Sequence, residues 1–131
     1  MKHTRFLQNR TDWDCGVAAF LNIINLLYGT DFGTKADYHW ARATLKITKS
    51  YGVRSKIFYR ALRKLGITLR LIDIHWWLSH DRQPYVLWTI EEHIEILVKQ
   101  DGELWTTNPE GYLSKQDFLA RTIAIFELST Q

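Results

Sequence analysis

The stretch QNRTDWDCGVAAF, residues 8–20, holds the only cysteine of the chain, Cys15, between Asp14 and Gly16 where an apolar helix begins. From residue 15 the run CGVAAFLNIINLLYG carries Val17, Phe20, Leu21, Ile24, Leu27 and Tyr28 at helical spacing, with Gly29 as a stop. Asp14 stands where an N-cap would accept an orphan backbone N–H. A thiol in the first turn of a helix is pushed toward thiolate by those N–H groups and by the macrodipole. Gly16 lets a substrate backbone come close. The plainer use of such a cysteine is a small buried filler, so its partners decide the matter.

The rest of the composition narrows the classes. At 131 residues, 46% apolar and 24% charged, the chain is expected to be one soluble domain spanning residues 1–131. No apolar run approaches the ~20 residues of a membrane helix. MKHTRFLQNR at the start lacks the apolar centre of a secretory signal. One cysteine makes no internal disulfide, and a cytoplasmic setting is the expectation. No histidine forms a close metal-spaced pair with Cys15, no glycine-rich phosphate loop is present, and no carboxylate pair has a glycosidase setting. A chemistry without metal or cofactor is therefore expected. The net charge is only +3, yet Arg42, Lys46, Lys49, Arg54, Lys56, Arg60, Arg63, Lys64 and Arg70 fall in a window, 42–72, with no acidic residue. Such a segment is either a solvated face or a site for an acidic partner.

Along the chain, helices precede strands. A loop, GTDFGTK, leads to a short helix over 36–45. A third helix lies in 50–66, with Ser55 as a start, Gly66 as a stop, and a stripe of Ile57, Phe58, Ala61, Leu62 and Leu65. The period then changes. Strands are read at 67–74, 84–90, 93–99, 103–108 and 123–129, with a connection at 75–83 that leaves room for a turn of helix. Asp101-Gly102 is a tight hairpin turn, and Ser114 caps a short helix over 114–122. This segregation predicts an α+β fold, N-terminal helices on a C-terminal antiparallel sheet. Most of the six tryptophans are read as core, with one of Trp76 and Trp77 free to line a groove.

A cysteine nucleophile needs a base and a group to hold that base. His93 opens a strand, and Asn108 ends the next one across the Asp101-Gly102 turn. Hairpin pairing is expected to bring 93 and 108 together, so that Asn108 fixes the His93 tautomer. Gln8 offers an amide to a developing oxyanion, with the Cys15 N–H as second donor. Glu91 and Glu92 precede His93 and would raise its pKa at close range.

The order of these residues resembles a known family. Gln8, DCGVAAF, the H-apolar-x-apolar-L run at 93–97, and Asn108-Pro109 are similar to the peptidase C39 domains, papain-like cysteine proteases of bacteriocin-exporting ABC transporters that also occur as stand-alone proteins. SYGVRSKIFYRALRKLGITLRLI, PYVLWTIEEHIEIL and TTNPEGYLSKQDFLART resemble further segments in the same order, over nearly the whole chain. The resemblance implies a stand-alone, papain-like fold with Cys15 as nucleophile, His93 as base and Gln8 in the oxyanion hole. It also implies cleavage after a double glycine in a leader peptide. Three departures stand out. Asn108 occupies the place of the family's usual Asp. Gln8 lies seven residues before Cys15 where six is usual, which puts Asn9 at that spacing. Glu95 interrupts a strand that is normally apolar there.

The expected function is thus a cysteine peptidase using Cys15, His93, Asn108 and Gln8. Two alternatives stay open on the sequence: a C39-like module that binds a peptide, protein or nucleic acid without cleaving, and an acyl transferase or deamidase using the same residues. The substrate, the acceptor and the oligomeric state have no readable motif.

Overall fold

The computed structural model describes residues 6–11, 13–47 and 54–131. Lys49 and the start of the segment read as the third helix, residues 50–53, lie outside them. The elements run α1 (Cys15–Tyr28), α2 (Lys35–Leu45), α3 (Ser55–Lys64), β1 (Ile67–Ile72), α4 (Ile74–Ser79), β2 (Tyr85–Ile90), β3 (His93–Gln100), β4 (Glu103–Thr107), β5 (Glu110–Leu113), α5 (Lys115–Arg121) and β6 (Ala124–Thr130). The strands form one antiparallel sheet in the order β1-β6-β2-β3-β4-β5. This is the expected α+β class.

Local chemistry explains most boundaries. Thr34 and Asp37 make a reciprocal capping box at the start of α2. Ser114 accepts from the Asp117 N–H and starts α5 as read from sequence. Gly29 ends α1 in the left-handed region at φ 67°. Asp101 and Gly102 both have positive φ, 53° and 77°, as a two-residue hairpin of right-handed twist requires.

The two faces of the sheet are covered differently. On one, α1 and α3 pack Val17, Phe20, Phe58 and Leu62 against Leu87, Ile94, Ile96 and Val98. On the other, Trp77 of α4 and Phe118 of α5 pack on Val86, Trp88, Leu97 and Ile125. Of that second layer, α5 was read from its Ser114 cap, and α4 falls in the connection that left room for a turn of helix. The expected strand over 67–74 stops at Ile72 because Asp73 turns its side chain onto the Trp76 N–H and caps α4. Strand β5 is only four residues and follows Pro109 directly, too short to show alternation.

Asp14 holds the N-cap position of α1 but does not cap it with its side chain. Its carboxylate is fully buried and takes a fork from Arg42 on α2, Nε to Oδ1 at 2.9 Å and Nη2 to Oδ2 at 2.6 Å. The stronger, charge-assisted partner wins over a backbone N–H. Burial pushes the Asp14 carboxyl up, and the bonds to Arg42 and Thr11 overcome it and hold it below the usual value. The fork ties the start of α1 to α2.

Arg42→Ala should therefore leave a buried, unpaired carboxylate and cost about 3 kcal/mol of stability in urea denaturation. The double change Asp14→Asn with Arg42→Met should cost less than Arg42→Ala alone, since no lone charge stays buried. The opposite ranking would show that the pair does not carry this joint.

Candidate active site

Cys15 is the first residue of α1, and His93 the first of β3. Helix α1 lies against β3, so the packing that buries Val17 and Phe20 under Ile94 and Ile96 also sets the thiol against the imidazole. The groups that act on the Cys15 thiol are the His93 ring and the backbone N–H groups of Ile94 and Gly16. Burial pushes the thiol up, but these groups and the His93 charge outweigh it, and the pKa lies below the ordinary 9.0. Burial likewise pulls His93 down. Hydrogen bonds to Cys15 and Glu95, and the charges of both, raise it from 6.5 to about 9. The direction of both shifts favours thiolate beside imidazolium.

The carboxylate behind the histidine is Glu95. Its Oε2 is hydrogen-bonded to His93 Nε2. Its Oε1 accepts the backbone N–H groups of Thr107 at 2.7 Å and Asn108 at 3.2 Å. Residues 93 and 95 share one face of β3, so both side chains reach the same end of the strand. Glu95 is 2% exposed. Across the β2–β3 pair it faces Trp88, itself buried and bonded through Nε1 to Thr122 Oγ1 at 2.7 Å. A pair in so dry a place is only weakly screened.

Asn108 lies elsewhere than expected. The β3–β4 hairpin pairs Leu97 with Thr106 and Gln100 with Glu103, and continuing that register sets Asn108 across from Glu95, two residues past His93. Its side chain turns to Asn9: Oδ1 accepts the Asn9 backbone N–H at 3.0 Å, and Nδ2 donates to Asn9 Oδ1 at 2.7 Å. Gln8 is also placed differently from a free donor. Its Nε2 gives one bond to the Phe6 carbonyl at 3.1 Å and one to the Thr107 carbonyl at 2.5 Å, so both amide hydrogens are committed. Glu91 and Glu92 are not among the charges that raise His93; Glu95 is.

The 6–10 segment is pinned from below. Asn22 of α1 accepts the Leu7 N–H at 2.7 Å and donates to the Leu7 carbonyl at 3.1 Å. Tyr38 of α2 donates its hydroxyl to the Gln8 carbonyl at 2.7 Å, and the Arg10 guanidinium lies 4.4 Å from its ring centroid. Of the basic segment, Arg42 and Arg70 are spent on internal carboxylates, Asp14 and Glu127. No group of three or more metal-ligating side chains occurs among the described residues, and none of their helices is long and apolar enough to cross a membrane.

Solved structures share this architecture. The peptidase domain of Streptococcus ComA, a bifunctional ABC transporter of a quorum-sensing pathway, superposes with a TM-score of 0.76 at 20% identity, over 98% of this chain and 100% of that one. A double glycine motif protease from an AMS/PCAT transporter, solved with its leader peptide, gives 0.75 at 11% identity, over 100% and 97%. The peptidase domain of Streptococcus mutans ComA gives 0.67 at 18%, over 96% and 99%. The chain has the papain-like fold of these peptidase domains. No protein-family model and no curated protein matches the sequence.

Glu95→Gln should destabilise the fold in a pH-dependent way. A histidine raised from 6.5 to about 9 contributes stability that is full below 6.5 and lost as pH rises through about 9. The loss caused by Glu95→Gln, measured by urea denaturation against wild type, should be larger at pH 7 than at pH 10. An equal loss at both would show that Glu95 acts only through the Thr107 and Asn108 N–H groups.

Proposed function

We propose that this chain is a cysteine peptidase working by acyl transfer to Cys15. What supports this is the row of Cys15, His93 and the buried Glu95 carboxylate, in which His93 is bonded to Glu95 and lowers the thiol's pKa. A packing cysteine needs no imidazole, and a surface histidine needs no buried carboxylate. Together they are the nucleophile, base and orienting group of covalent catalysis.

The Cys15 thiolate attacks the scissile carbonyl carbon, forming the C–S bond and placing charge on the carbonyl oxygen. The Cys15 backbone N–H is one donor to that oxygen. The C–N bond then breaks as imidazolium His93 gives its proton to the leaving amine. Water, deprotonated by His93, attacks the thioester carbon; the C–S bond then breaks, the acid leaves, and the thiolate–imidazolium pair is restored. Glu95 keeps the ring turned toward the sulfur and stabilises its charge throughout, the task expected of Asn108 from sequence.

The substrate class we infer is a leader peptide ending in two glycines. Its support is the fold shared with a double glycine motif protease solved with a leader peptide. Gly16, beside the nucleophile, leaves room for a substrate backbone. The thiol chemistry fits a reducing compartment such as the cytoplasm.

The test is cleavage of peptides carrying a Gly-Gly pair before the scissile bond, followed by mass spectrometry. Wild type should release the leader after the second glycine, and Cys15→Ala should show no turnover while keeping its circular dichroism spectrum. Turnover retained in Cys15→Ala would exclude the nucleophile. Cleavage indifferent to replacing both glycines by Leu would exclude the substrate class.

A further inference from the structure

The acid-free window 42–72 has cations that the acyl-transfer scheme does not use. Arg42 and Arg70 hold carboxylates, whereas Lys46, Lys56, Arg60 and Lys64 hold none among the described residues. Lys56, Arg60 and Lys64 stand at i, i+4 and i+8 on α3 and are all exposed, while Phe58, Ala61 and Leu62 turn inward. Like charges in such a row repel one another, so the row costs stability unless something outside the helix meets it.

That row borders an open cleft between α2 and α3. Its volume is about 340 Å³; Phe20, Trp40 and Leu65 line it together with Lys46, Arg60 and Lys64. Large apolar side chains that stay exposed gather around it. Trp40 is 44% exposed and stacks on Phe32, also exposed, with ring centroids 6.4 Å apart. The Tyr28 hydroxyl donates to the Leu65 carbonyl, and both of those side chains are exposed. A contiguous apolar patch of this kind, rimmed by one sign of charge, marks a surface that meets a partner.

The apolar residues choose among the partners a positive face can take. Single-stranded nucleic acid would use Trp40 and the cations but leaves the aliphatic Leu65 without a match. An acidic helix needs a groove for a row of anchors at i, i+3 or i+4 and i+7, not one open cleft. The surface of an anionic bilayer uses every part: its phosphates meet Lys and Arg, and indole and phenol rings settle among its head groups with their polar tips wet.

We propose that the α2–α3 face docks the protein on an anionic phospholipid surface, with the cleft seating a head group between Trp40 and the Lys46, Arg60 and Lys64 cations. Cys15 and His93 do not line this cleft, so the docking is separate from the peptidase reading and does not rest on it. Trp40 and Arg42 lie on the same helix, and Arg42 forks onto Asp14 beside the nucleophile, so a docked α2 holds the start of α1 at the surface with it.

The test is co-sedimentation of the full chain with vesicles of phosphatidylcholine, alone or with about one third phosphatidylglycerol, in low salt. Wild type should sediment with the anionic vesicles and not with pure phosphatidylcholine, and should be released as salt rises from about 0.05 to 0.5 M. Arg60→Gln with Lys64→Gln should weaken partition about 25-fold, at about fivefold per cation. Arg82→Gln with Lys115→Gln removes the same charge at the end of α4 and the start of α5, and should stay within about threefold of wild type. Vesicles with brominated acyl chains should quench tryptophan fluorescence in wild type, and most of that quenching should vanish in Trp40→Phe. All variants should keep the wild-type circular dichroism spectrum. Equal loss in the two double variants would mean attraction by net charge alone and overturns the proposal, as does equal binding to uncharged vesicles or quenching unchanged in Trp40→Phe. Failure to bind anionic vesicles overturns it as well; capture of poly-glutamate or oligouridine through Arg60 and Lys64 in that case would assign the face to an acidic protein or a nucleic acid.

Discussion

One buried carboxylate joins the parts of this site. Glu95 has one oxygen on the His93 ring and the other on two consecutive backbone N–H groups, those of Thr107 and Asn108. A carboxylate placed in a dry interior costs far more than it returns unless all its lone pairs are met. Here the imidazolium and two amides meet them, and Trp88 keeps water away. The cost of burial thus becomes specificity of position. With Glu95 fixed, the ring orientation is fixed, and so are the end of β4 and the asparagine that follows it.

That arrangement bears on the paired charges at the nucleophile. Burial opposes both of them, raising the thiol and lowering the imidazole. Each makes the other affordable in a place with little screening, and the Ile94 and Gly16 N–H groups and the Glu95 carboxylate supply the rest. The two ionisations belong to the pair, and a change at Glu95 is felt at Cys15 although the two side chains share only the histidine.

Much of this was legible beforehand. Cys15 at the head of an apolar helix and His93 at the head of a central strand are positions that periodicity locates well, and the Asp101-Gly102 turn fixes the hairpin after them. The misplacement of Asn108 was a matter of register. A turn about midway between 93 and 108 reads as pairing, but the two-residue turn aligns 100 with 103, and the sum carries 108 to 95. Glu95 itself was visible as an anomaly, a charge in an apolar strand. The signal that would have assigned it is the i, i+2 spacing from His93, which puts both on one face. Asp14 was misread because its partner, Arg42, is 28 residues away and on another helix, and a local pattern does not see such a contact. The full length of α4 was less legible for a similar reason: so short a helix declares itself by the tryptophan it buries, not by period, whereas α5 was marked by its Ser114 cap.

The most direct measurement is the titration of His93 by NMR, with labelled histidine and His93→Gln to assign the resonance, from pH 5 to 10. The account predicts that His93 stays protonated through neutral pH and loses its proton near 9. A midpoint near 6.5, with no dependence on Glu95→Gln, would show that neither the thiolate nor the carboxylate holds the ring, and would contradict the assembled site.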